Sequence, residues 1–222
     1  TIGNMSAIRL GTRASTLATT QSEMVARLLR SEGLDVDLTT ITTHGDTSTA
    51  SLAAMGGIGV FASAIRATLL KGEADIAVHS FKDLPTGRPL GLAIGAVPAR
   101  ADPRDALVAR DGLTLHDLPQ EASVGTGSPR RAAQLLAVRP DLTIVDIRGN
   151  VDTRLGRVKG LGHYAKGGGK EDLDAVVLAA SGLARLGHSG TVTEFLDPSV
   201  VLPAPAQGCL LYTSDAADER SS

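Results

Sequence analysis

The chain has 222 residues, 42% hydrophobic and 21% charged, enough to bury a sizeable core and build two modest domains. Its 22 Lys and Arg stand against 24 Asp and Glu, so no global positive field recruits nucleic acid and any basic site must be local. The single cysteine, Cys209, excludes an internal disulfide framework, three Phe and two Tyr without Trp imply an aliphatic core, and the lack of an apolar signal or spanning run points to the cytoplasm, away from membranes.

Short aliphatic runs alternate with segments of helical period, the pattern of an α/β protein with open, mainly parallel sheets. Residues 7–10 read as a first strand, and Met24, Val25, Leu28 and Leu29 mark one face of a helix that Gly33 can stop. A strand over 36–41 follows, then a helix with Phe61, Ile65 and Leu69 at i, i+4 and i+8, and strands at 76–78 and 92–97. The proline- and charge-rich segment 98–107 is a crossing into a second domain. There, 123–125, 142–147 and 175–178 read as strands, with helices beginning near Pro129, Asn150 and Ser181. The glycine-rich stretch 162–172 is a loop, and LPAPAQG at 202–208 suggests a second crossing back.

Three polar clusters follow strand-like runs, an arrangement suited to a polyanionic ligand. In GTGSPRR at 125–131, Ser128 at the N-cap and Pro129 at N1 start a helix well. Arg130 and Arg131 in its first turn oppose the macrodipole by roughly 0.3–1 kcal/mol each when exposed, and a docked carboxylate or phosphate would reverse that sign. Gly125 and Gly127 let backbone N–H groups approach such an anion, although two ordinary surface arginines read equally simply. In IRGNVDTRL at 147–155, Arg148 and Arg154 flank Asn150, a second N-cap. Their planar forks suit bidentate carboxylate recognition, and Asp152 could instead pair with either of them. In HSFKDLP at 79–85, Ser80, Lys82 and Asp83 occupy a turn ended by Pro85. A carboxylate there could orient a substrate N–H, stabilise a cation and move protons, or simply cap a turn beside a solvated lysine. His79 reads as a hydrogen-bonded structural residue, since no metal-spaced partner accompanies it.

These motifs, together with IRLGTRAS at 8–15, THGD at 43–46, DPRDAL at 102–107, LAASGLARLG at 178–187 and LPAPAQG, make the chain resemble the porphobilinogen deaminase (hydroxymethylbilane synthase) family of tetrapyrrole biosynthesis from about residue 8 to 208. The resemblance implies two α/β domains of the type II periplasmic-binding-protein kind with a cleft between them: residues 1–98 with 200–222, and residues 99–199. It further implies a third α+β domain, absent here, whose cysteine carries a covalent dipyrromethane primer. The implied activity is deamination and head-to-tail coupling of four porphobilinogen units by a monomer.

By the same resemblance Asp83 is the catalytic aspartate. Ser80, Lys82, Thr126, Ser128, Arg130 and Arg131 lie beside the primer, and Arg13, Arg148, Arg154, Arg185 and Gln207 bind substrate or the growing chain. No metal or nucleotide is implied, and no GxxxxGK[ST] loop occurs. Two departures stand out. GGIGVF at 56–61 followed by Ala62, Ser63 and Ala64 lacks two lysines common among relatives. After Gly208, CLLYTSDAADERSS replaces the expected apolar strand, so residues 209–222 read as a foreign tail, with Cys209 out of place as primer cysteine and the chain as an inactive fragment. A non-catalytic polycarboxylate-binding module is the alternative, since fold alone does not fix function.

Overall fold

The computed structural model describes residues 7–41, 60–87 and 90–215. THGD at 43–46 and the glycines at 56–59 lie outside them, as does the end of the tail from 216. The chain divides into two compact units, Thr1–Arg100 with Cys209–Ser222 and Ala101–Gly208.

In the first unit, β1 (Ile8–Arg13) leads to α1 (Thr16–Ser31), β2 (Val36–Ile41), α2 (Val60–Leu70), β3 (Ile76–Ser80) and β4 (Leu92–Ala96). Helix α1 is capped by Ser15, whose hydroxyl accepts from the Ala18 N–H at 3.4 Å. Its inward face is Gln21, Ser22, Val25 and Ala26, one position round from the predicted stripe, and Met24 and Leu28 are exposed. The shift has a polar cause: Gln21 turns in to meet Ser80. Helices α1 and α2 cover opposite faces, since Val78 joins the core of Leu10, Val25 and Ala26, and its neighbour Ala77 joins that of Ile65 and Leu69.

The second unit runs β5 (Asp105–Ala109), β6 (Ser123–Gly125), α3 (Pro129–Val138), β7 (Thr143–Val145), α4 (Val151–Leu155), β8 (Ala175–Ala179), α5 (Ala180–Arg185) and β9 (Glu194–Phe195). Leu107 and Val177 point into one core, Val108 and Val176 into the other, so both strands are buried on both faces and read as unbroken apolar runs.

The sheets are mixed rather than mainly parallel. Their orders are β2-β1-β3-β10-β4 and β7-β6-β8-β5-β9, where β10 is Leu210–Asp215. In each, three parallel strands are followed by one antiparallel strand delivered directly by a crossing, β10 beside β3 and β5 beside β8. The foreign-looking tail, assigned with the first domain, does supply a strand of that unit's sheet. Leu210, Leu211 and Tyr212 are strand formers, Leu211 is wholly buried, and residues 210–214 pair in register with β3. The first crossing is shorter than 98–107, because Asp105 already opens β5.

Residues 200–208 belong to the second unit, where Val201 is buried beside Leu107 and Leu196. The two crossings meet where the Ala101 N–H donates to the Gly208 carbonyl at 3.2 Å. Gly208 has φ +88°, and a Cβ there would lie 2.6 Å from the Ala101 oxygen. Strain and clash together predict that Gly208→Ala lowers unfolding free energy by about 1–3 kcal/mol, read as a lower denaturant midpoint at constant m-value.

Candidate functional site

The predicted residues gather beyond the carboxyl ends of the parallel strands, where open α/β sheets collect their loops. Each unit presents its own group.

In the first unit, β1 ends at Arg13 and β3 at Ser80, and a 3-10 turn over Phe81–Asp83 places Lys82 and Asp83 next. Arg13, Gln21, His79, Ser80 and Asp83 line a pocket of about 50 Å³ floored by Ile65, Val78 and Leu84. Ser80 and Gln21 exchange contacts at 3.3–3.4 Å between hydroxyl and amide. Asp83 is exposed to solvent. Protein packed around it still disfavours the charged form and raises its pKa, opposed by the charges of Lys82 and Arg13. So exposed, the carboxyl can exchange protons with a ligand. His79 is buried, its Nε2 lies 3.0 Å from the Thr213 hydroxyl, and burial aided by Arg66 lowers its pKa to about 4, so it is a neutral, hydrogen-bonded ring.

In the second unit the chain leaves β6 through Thr126, Gly127 and Ser128 into α3. Ser128 caps that helix by accepting from the Arg131 N–H at 3.5 Å, with Pro129 at its start. Thr126 is buried, and its hydroxyl accepts from the Ser128 N–H at 3.2 Å. Gly127 is required by close approach, since a Cβ there would sit 2.7 Å from the Ile147 carbonyl. The adjoining loop carries Arg148 and is closed by Asn150, which accepts from the Thr153 N–H at 2.8 Å. Asp152 meets His188 at 2.7 Å.

Arg154 reaches back to the Gly149 carbonyl at 2.8 Å. Burial lowers its pKa, and repulsion from Arg131 and Arg148 adds to that, with Asp146 opposing. An arginine stays charged in any case, and an incoming carboxylate would offset both its burial and the repulsion from its cationic neighbours. Arg131 is 7% exposed and its Nε is buried without a hydrogen-bond partner. A group of carboxylates fits such donors. Among the described residues, no cluster of three His, Cys, Asp or Glu side chains could hold a metal.

Gln207 and Arg185 have local duties. Gln207 is wholly buried and donates to the Pro103 carbonyl at 2.7 Å and to Asp105 at 2.8 Å, while Arg185 donates to the Gly208 carbonyl at 2.8 Å. Two residues of these networks escaped the sequence reading. Gln21 was signalled only as a polar residue one turn before Val25 on a buried face, and Asp105 only as an acid opening the apolar run ALVA.

The family model described as "Porphobilinogen deaminase, dipyromethane cofactor binding domain" matches residues 8–222. The chain is similar to porphobilinogen deaminases of Cutibacterium acnes (93% identity, 97% of this chain and 65% of the relative), Micrococcus luteus (58%, 97% and 59%) and Leifsonia xyli (56%, 96% and 62%). It thus spans about three fifths to two thirds of these relatives. Among solved structures it resembles a periplasmic substrate-binding protein of an ABC transporter from Coxiella burnetii (TM-score 0.54, 16% identity, 96% of this chain and 87% of that one). A nutrient-binding protein from Burkholderia cenocepacia is similar to the same degree (0.54, 15%, 97% and 87%). At these identities the likeness establishes the fold, two α/β units of the type II periplasmic-binding-protein kind.

The neutral His79 makes stability depend on pH. Its folded pKa of about 4 lies below the ordinary 6.5, so the folded state binds fewer protons between those values and stability is lost as pH falls through that window. The displacement corresponds to at most about 3 kcal/mol. Denaturant titrations from pH 7 to 4 should show this loss in the parent chain and a shallower one in His79→Gln, which keeps a hydrogen-bonding side chain without the titration.

Proposed function

The chain belongs to the porphobilinogen deaminase family, and from that premise we propose that it forms the substrate- and primer-binding part of a hydroxymethylbilane synthase. The reaction deaminates porphobilinogen and joins four units head to tail. The observation that best supports this reading is the crowding of Arg154 with Arg131 and Arg148, because each porphobilinogen pyrrole carries an acetate and a propionate and the growing chain is a polycarboxylate. We propose action as a monomer in the cytoplasm. No helix among the described residues is long and apolar enough to cross a membrane.

In this mechanism Arg148 and Arg154, with the Ser128-capped start of α3, hold carboxylates through charge-assisted hydrogen bonds. Thr126, Ser128, Arg130 and Arg131 would hold a dipyrromethane, a group to which the family resemblance also assigns Ser80 and Lys82. That group, when bound, supplies the nucleophilic pyrrole carbon to which the first unit is joined. Asp83 accepts the hydrogen bond of a substrate pyrrole N–H. As the aminomethyl C–N bond breaks and ammonia leaves, positive charge spreads onto the ring, and the Asp83 carboxylate opposes it. After the new C–C bond forms, the displaced ring proton must be removed, and an exposed carboxyl of raised pKa suits both proton delivery and removal. The charges of Lys82 and Arg13 act in the opposite sense to that rise and favour the anionic form.

Titration of the purified chain with porphobilinogen, citrate and sulfate tests the reading. Tighter binding of porphobilinogen supports it, whereas equal affinity for all three identifies a generic anion binder. Arg154→Ala should weaken porphobilinogen binding about 10–100-fold through one lost charge-assisted contact, without lowering the thermal midpoint, because it also removes a repulsive cation. Asp83→Asn should leave that affinity within about threefold and, in a chain completed by the family's third domain, reduce ammonia release by roughly 10²–10⁴. Intact mass after incubation shows whether pyrrole units are retained covalently.

A further inference from the structure

We propose that Asp105 is a positioning residue for carboxylate recognition, holding the guanidinium groups of Arg130 and Arg131 together at the start of α3. The role rests on the substrate reading above but is carried by its own geometry. Asp105 is the first residue of β5, wholly buried, and paired in register with Ala179, where β8 gives way to α5. One of its oxygens accepts from Arg131 Nη2 at 2.7 Å and from Gln207 Nε2 at 2.8 Å, and the other from Arg130 Nη2 at 2.8 Å. The two oxygens of one carboxylate thus fix two guanidinium groups that would otherwise repel and separate.

The arrangement leaves charge to spare. One carboxylate faces two arginines, so a net positive charge remains, and its influence is visible in the repulsion that Arg131 exerts on Arg154. Arg131 also donates to the Val177 carbonyl at 3.2 Å, which fixes its plane while its buried Nε stays without an acceptor. Arg130 is the more accessible of the pair and is steadied at its other end by the Leu202 carbonyl. The other buried carboxylate hub of this unit is built differently. Asp174 joins Arg110 and Lys159, but Arg110 also meets Asp111, so two cations stand against two carboxylates and no excess remains. Asp174 has the charge balance of a structural node; Asp105 aligns cations without cancelling them.

Gln207 extends the alignment to the return crossing. Its amide bridges Asp105 and the Pro103 carbonyl, so the carboxylate is tied to that crossing and to the chain just before β5 as well as to the two arginines. The side chain that orients the cations is therefore itself oriented, a condition for precise placement of a recognition group.

The test is Asp105→Asn in the full chain, with porphobilinogen and tricarballylate, a plain tricarboxylate, as probes. Asparagine keeps the shape but puts an NH₂ where an oxygen accepted a guanidinium. We expect affinity for both probes to fall at least tenfold well below the variant's melting transition. Arg Nε–Hε NMR signals of both Arg130 and Arg131 should move in the ligand-free protein. Asp174→Asn should lower the melting midpoint and leave both affinities unchanged. If Asp105→Asn folds poorly, Arg131→Gln is compared with Asp105→Asn/Arg131→Gln, which removes the stranded cation. A further tenfold loss in the double variant supports positioning of Arg130, and equal affinities overturn it.

Wild-type affinities retained in folded Asp105→Asn overturn the proposal outright. A wild-type chain that binds tricarballylate as well as porphobilinogen defeats the substrate reading alone, and one that binds neither defeats both.

Discussion

Cations that a protein has fully neutralised cannot recognise a polycarboxylate, and cations left without counter-charge inside a fold repel one another. The second unit is organised around this conflict. At Arg154 the charges of Arg131 and Arg148 add repulsion to the effect of burial, even though Arg131 is itself paired with Asp105. What keeps them in place is covalent and hydrogen-bonded scaffolding: the strand ends, the Ser128 and Asn150 caps, the Gly149 carbonyl and the Asp105 carboxylate. The chain as a whole carries a net charge of −2, so this positive region is a local construction rather than a by-product of composition.

The fold supplies the strand ends. In each sheet three parallel strands run to the same edge, and the helices and turns that follow them bring their first residues there. The antiparallel fourth strand runs the other way and so contributes its opening residue to the same edge of the sheet. Asp105 opens β5 opposite Ala179, and Leu210 opens β10 opposite Ser80. In the second unit that opening residue is an aspartate bonded to two arginines; in the first it is a leucine packed in the core. One topological rule thus gives two chemical outcomes, decided by a single side chain.

Where a local rule controls geometry, the sequence was legible. Ser128-Pro129 and Asn150 announce their helices because capping is decided within four residues, and both caps form. The three clusters do stand at strand ends, because the short apolar runs before them form β3, β6 and β7. Less was visible where partners are remote in the chain. Asp105 meets Arg130, Arg131 and Gln207 across 25, 26 and 102 positions, and nothing near DPRDAL reveals them. Gln21 is turned inward by Ser80, 59 residues away, against a helix period that pointed elsewhere. The tail reads as foreign by composition, but its apolar Leu210, Leu211 and Tyr212 carry strand propensity, and the segment pairs with both β3 and β4.

Asp83 and Asp105 show how environment divides one residue type between two kinds of work. Both are crowded by protein, a condition that favours the protonated acid, and both have arginine nearby. At Asp105 burial is outweighed by hydrogen bonds from Arg131, Arg130 and Gln207, which hold the pKa below the ordinary carboxylate range. Its proton affinity is therefore low, its oxygens are occupied, and it is chemically inert. At Asp83 burial prevails over the more diffuse charges of Lys82 and Arg13, and the pKa rises. Exposure leaves that carboxyl able to accept a new hydrogen bond and to trade protons. The difference lies in direct hydrogen-bond donors. A carboxylate saturated by guanidinium forks becomes an anchor, and one faced by cations at a distance keeps the reactivity that a departing amine and an emerging ring cation require.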